Sequence, residues 1–66
     1  MKIYNIHRKE SGKISTIGAS CIKNAIKQFT CTLERPTNHR LYNLKLASVY
    51  YIDSCSTMSD YVIIEA

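Results

Sequence analysis

The sequence predicts an α+β fold, ββαββ in order, with one helix packed on a four-stranded antiparallel sheet. Two patterns and the chain length predict it. Apolar residues recur at spacings of three and four between Ile22 and Leu33, which marks a helix with one buried face. Segments on both sides of that stretch alternate apolar and polar residues, the period of a strand with one face in the core. A chain of 66 residues buries only about 60% of its unfolded surface, so the core is one layer of contacts, helix against sheet.

Each element has its own local chemistry. Lys2 to Lys9 alternates as a strand with Tyr4 and Ile6 on one face. Glu10-Ser11-Gly12-Lys13 is a turn, because Ser and Gly supply turn conformations, and Ile14 to Ala19 is a second strand rich in β-branched residues. Ser20 is placed to cap the helix that follows. Ile22, Ala25, Ile26, Phe29 and Leu33 form the buried stripe, and Lys23, Asn24, Lys27 and Gln28 the opposite face. Thr30 and Thr32 are weak helix formers, and Pro36 excludes Arg35 from the helix. Pro36 to Arg40 reads as a polar loop. Leu41 to Asp53 reads as one long strand, bent near Ala47-Ser48, with Tyr42, Leu44, Leu46, Tyr50 and Ile52 in one parity. Ser54 to Ser59 is a turn and Tyr61 to Glu65 the last strand. The helix stripe is expected to bury against Ile6, Ile17, Leu44, Leu46 and Ile63, leaving the other sheet face partly open.

Composition narrows the function classes. Residues 1–66 make a single small α+β binding domain, with too little scaffold to enclose a deep substrate pocket and hold catalytic groups rigid. The expectation is no enzyme and no cofactor. No apolar run approaches the ~20 residues that cross a bilayer, so no membrane partner is expected. The N-terminus lacks the apolar segment and cleavage site of a signal peptide, which predicts a cytoplasmic protein. Cys21, Cys31 and Cys55 are odd in number and lack metal or redox spacing, so they are expected to be free thiols packed as small apolar residues. His7 and His39 lie far apart, and no metal or catalytic role is assigned to them. Ser11-Gly12-Lys13 lacks the flanking glycines of a phosphate loop.

Charge and tyrosine mark the candidate surface. The net charge is +4, but residues 2 to 45 hold all nine Lys and Arg with only Glu10 and Glu34 against them, a charge of +7. Residues 46 to 66 hold Asp53, Asp60 and Glu65 and no base, a charge of −3. A basic side of this kind meets phosphates or an acidic protein face. The partner-binding candidates are therefore Lys23 and Lys27, stacked four apart on the exposed helix face, extended by Arg8, Lys9 and Lys13 or by Arg35 and Arg40. Tyr50 and Tyr51 are adjacent and point to opposite sheet faces, and Tyr51 joins the candidate set.

Three segments, Met1-Lys2-Ile3-Tyr4, Ile17-Gly18-Ala19-Ser20 at the helix entrance and Ala25-Ile26-Lys27 within it, give a plan that resembles small phage and mobile-element proteins of the anti-CRISPR type. That resemblance implies a stoichiometric inhibitor that sits on a host ribonucleoprotein effector and blocks its binding of target DNA. Many such inhibitors are acidic mimics of DNA, and this basic chain departs from that pattern. The partner expected is a host protein or ribonucleoprotein complex, with the chain a monomer or weak homodimer. The alternative is direct nucleic-acid binding through the basic face.

Overall fold

Lys2–Arg8 (β1) and Gly12–Ala19 (β2) pair as an antiparallel hairpin in the computed structural model, which describes residues 1–52 and 60–66. The Ser11 amide donates to the Arg8 carbonyl at 3.2 Å, and Gly12 follows with a φ of 74°. Glycine takes that left-handed step without a Cβ clash, so the segment works as a hairpin turn. One register shift between Ile6 and His7 places Lys13, and not Ile14, opposite His7.

The helix, Ile22–Thr30 (α1), is shorter than the apolar stripe. Ser20 is not its cap: Cys21 occupies the N-cap position, and the Ser20 hydroxyl accepts instead from the Asn24 side-chain amide at 2.6 Å. At the other end the Thr30 and Thr32 hydroxyls donate to the Lys27 and Phe29 carbonyls, at 3.2 and 2.7 Å. Those bonds compete with continued helix, which is why it stops before Leu33. Leu33 still packs, half-buried, against the core.

The second half corrects the expected four strands. Thr37–Leu41 (β3), of which Thr37 to Arg40 was read from sequence as part of a polar loop, is a strand, and it pairs with Leu46–Tyr51 (β4). Tyr61–Glu65 (β5) completes a five-stranded antiparallel sheet in the order β2-β1-β5-β4-β3, so the chain runs ββαβββ. The expected long strand breaks because Asn43 makes a turn: its side-chain oxygen accepts from the Lys45 amide at 2.7 Å, while the Tyr42 and Asn43 amides both donate to the Leu46 carbonyl. The expected turn at Ser54 to Ser59, with Asp53 and Cys55, lies outside the described residues.

The break also reverses the parity of β4. Ala47 pairs with Ile63 and Val49 with Tyr61, so Ala47, Val49 and Tyr51 face the helix. Leu46 is opposite Ile64 on the open face, and Leu44 projects at the turn, 80% exposed. Neither is the core residue expected. The core is Tyr4, Ile6, Ala19, Ala47, Val49, Tyr61 and Ile63 on the sheet, covered by Ile22, Ala25, Ile26 and Phe29 of the helix, with Ile17 at its margin. The far sheet face is partly open as expected, with Ile3 and Ile64 exposed. Among the described residues no helix is long and apolar enough to cross a membrane.

Candidate binding groove

The helix connects one sheet edge, β2, to the other, β3, and its flank overlooks β3. Cys21, Ile22 and Lys23 stand against Leu41 to Leu44, whereas Lys27 and Thr30 stand against Thr37 and His39. Helix and edge strand therefore run side by side in opposite directions, with a trough between them. At the helix N-terminus the trough opens into an apolar cleft of about 410 Å³. Its outer wall is Leu41, Tyr42 and Leu44, apolar side chains that are 39%, 56% and 80% exposed. Further along, an open hollow of about 440 Å³ is lined by Lys23, Ile26, Lys27, Thr30, Thr37 and His39. Lys23 borders both parts, so the two hollows adjoin at that residue, one apolar and the other basic. No Asp or Glu lines either part.

At the C-terminal end of the helix the aromatic residues stack in sequence. Phe29 meets Tyr61 edge-on at 4.9 Å between ring centroids, and Tyr61 meets Tyr51 at 6.2 Å. Arg35 lies over the Tyr51 ring at 3.9 Å and Arg8 over the Tyr61 ring at 5.9 Å. Each guanidinium lies over the face of a ring, a cation–π contact. The Tyr51 and Tyr61 hydroxyls share a hydrogen bond of 3.2 Å, and this bond, with burial, raises the Tyr61 phenol above its ordinary pKa. Thr37 pairs with Tyr51, so this ladder adjoins the basic end of the trough.

The structure thus separates the candidates drawn from sequence. Lys23 and Lys27 share the trough, and Arg8, Arg35 and Tyr51 share the aromatic ladder beside it. Tyr51 is half-buried on the helix side, and its neighbour Tyr50 is the tyrosine of the open face. Lys13 is in register with His7, and Arg40 with Ser48, both on the open side of the sheet; Lys9 is in the hairpin turn. Arg40 lies 5.6 Å from the Tyr42 ring. Sequence reasoning missed Thr37, His39, Leu41, Tyr42 and Leu44. The turn-forming Asn43 between two apolar residues was the available signal.

Cys21 and Cys31 are free but exposed, which corrects the expectation of buried thiols; Cys55 lies outside the described residues. Cys21 sits where a cap residue meets unpaired amides, and the backbone amide of Asn24, ahead of that of Lys23, lowers its thiol below the ordinary value. Cys21 should therefore react with iodoacetamide in the folded protein, and at a lower pH than a free thiol requires. Resistance to alkylation until denaturant is added would contradict its placement. Among the described residues no group of three His, Cys, Asp or Glu side chains is arranged to hold a metal ion.

The geometry defines a small α+β domain with an amphipathic trough between its helix and a sheet edge. Comparison with family models, with curated proteins and with solved structures found no match for this chain.

Proposed function

We propose that this chain is a non-enzymatic binding protein that docks on a macromolecular partner through the groove between α1 and β3. The observation that carries this reading is the adjacency of the two hollows: exposed leucine and tyrosine lining one, two lysines and a histidine lining the other, Lys23 common to both. Apolar anchors beside charged positions are what a stable protein interface needs, the first for affinity and the second for encounter and register. The resemblance to anti-CRISPR-type proteins supplies the partner class, a nucleic-acid-processing effector in the host cytosol whose target-DNA binding the docked protein blocks. The alternative, direct binding of nucleic acid by the basic face, draws on the same lysines and on the arginine–tyrosine ladder.

Lys23→Glu with Lys27→Glu tests the groove. Both side chains are exposed, so the melting midpoint should stay within about 2 °C of the parent. Affinity for a partner isolated from host cytosol should fall at least about tenfold, and the loss should shrink as salt rises. Unchanged affinity in the double variant would move the site elsewhere, with Tyr50 on the open sheet face the next candidate.

A further inference from the structure

The β3 edge carries information that the groove lining alone does not. Residues on an antiparallel strand alternate between pointing their backbone groups to the paired neighbour and away from it. Tyr42 donates to the Leu46 carbonyl and Ile52 to the Pro36 carbonyl, which fixes the phase of that alternation along β3. The pairs Arg40 with Ser48 and Asn38 with Tyr50 are therefore the bonded ones. Thr37, His39 and Leu41 point their N–H and C=O groups away from β4, along the edge of the sheet. The same three residues have their side chains on the helix side, where each lines the groove. Resting on the binding reading above, we infer that this groove takes an extended acidic segment of a partner protein, which adds to the sheet as a sixth strand against β3.

Three features favour that occupant. The first is spacing. Lys23 and Lys27 are one helical turn apart, about 6 Å along the axis. Alternate side chains of a strand are about 6.6 Å apart. A strand on the β3 edge, running along the helix flank, therefore brings successive helix-facing residues opposite successive lysines. The second is charge: with no acid in the groove lining, Lys23 and Lys27 are complemented by Glu or Asp at those two positions. The third is the apolar cleft at Leu41, Tyr42 and Leu44, which accommodates a large apolar residue two positions beyond the acids. A nucleic acid has no ladder of amides to satisfy the edge and no aliphatic side chain for the cleft. Strand addition of this type uses main-chain bonds for affinity and alternate side chains for specificity.

The edge is guarded in the unbound chain. The His39 amide, at the centre of the outward set, donates to the side-chain oxygen of Asn38 at 2.9 Å. A self-supplied acceptor of this kind blunts a sheet edge against indiscriminate pairing. An incoming strand exchanges its own carbonyl for that of Asn38, so the guard sets a threshold and does not close the site.

Panning a displayed library of random ten-residue peptides against the intact protein tests this. Enriched peptides should carry two acidic residues separated by one position and a large apolar residue two positions further. With the best peptide bound, the Thr37 and Leu41 amides should become protected from hydrogen exchange. A scramble of the same composition, with its acids adjacent, should bind at least tenfold more weakly. His39→Pro removes an outward donor while sparing the bonds to β4, and should abolish peptide binding. Asn38→Ala should tighten it by about two- to tenfold, the worth of one hydrogen bond. If His39→Pro fails to fold, exchange protection in the parent decides. No enrichment, equal binding of the scramble, or unprotected Thr37 and Leu41 amides would each overturn strand addition. Should any of these occur while the double glutamate variant still loses its partner, the binding reading stands and only the sixth strand falls. Preferential capture of a single-stranded oligonucleotide, with peptides ignored, would also overturn it.

Discussion

Phe29→Ala is expected to lower the melting midpoint by more than about 12 °C, and in many buffers to leave the chain unfolded. Phe29 is 6% exposed and meets Tyr61 edge-on, with ring planes at 72°. Removing a buried phenyl group costs about 3–5 kcal/mol, since the cavity collapses only in part. A domain of 66 residues has a total stability of only about 3–10 kcal/mol. Each kcal/mol shifts the midpoint of a domain this size by about 4–8 °C. The effect reaches the surface as well. Tyr61 packs between Phe29 and Tyr51 and carries Arg8 on its ring, so the loss of Phe29 unseats one support of the ladder. Thermal melting followed by circular dichroism reads the result. A variant melting within a few degrees of the parent would contradict helix-on-sheet packing at this position.

How far the sequence spoke depended on whether each element has a buried side. The helix was legible because Ile22, Ala25, Ile26 and Phe29 fall on one stripe and all four are buried. Strand β1 was legible because Tyr4 and Ile6 alternate with less buried neighbours, and β5 because Tyr61 to Ile64 is an apolar run. Strand β3 was not legible. Thr37 is half-buried, and Asn38, His39, Arg40 and Leu41 are exposed on both faces, so no apolar period distinguishes this edge strand from a loop. The Asn43 turn was hidden for the opposite reason. Tyr42, Leu44 and Leu46 keep a strand's alternation straight through it, although Leu44 is 80% exposed. That false continuity carried the parity of β4 with it, because a shift of one residue exchanges the faces of every side chain. The groove was half legible. Lys23 and Lys27 follow from the helical period, but their facing wall depends on β3 taking the sheet edge, a non-local pairing that no local pattern encodes.

Salt dependence distinguishes the two partner classes by a wide margin. If bare DNA were the ligand of the basic face, each neutralised phosphate would contribute about −0.9 to the slope of log affinity against log salt. Were all seven basic candidates, Arg8, Lys9, Lys13, Lys23, Lys27, Arg35 and Arg40, to act together, affinity would fall about 6,000-fold between 50 and 200 mM salt. The fold divides that set between two faces of the sheet. Lys13 and Arg40 belong to the open side of the sheet, and Lys9 to the hairpin turn. Lys23, Lys27, Arg8 and Arg35 remain on the helix side, which limits the change to about 150-fold. Arg8 and Arg35 already stack on Tyr61 and Tyr51, so a phosphate must compete with those contacts. Gel-shift titrations across that salt range should therefore show loose binding to bare DNA or RNA with a slope no steeper than about −4. A protein partner engaged through the groove should keep most of its affinity over the same range, since Leu41, Tyr42 and Leu44 contribute a term that salt does not screen. Tight binding to bare nucleic acid with a slope near −6 would reverse the assignment: the basic residues of both sheet faces would then act on one wrapped strand, and the groove would be only part of a larger nucleic-acid surface.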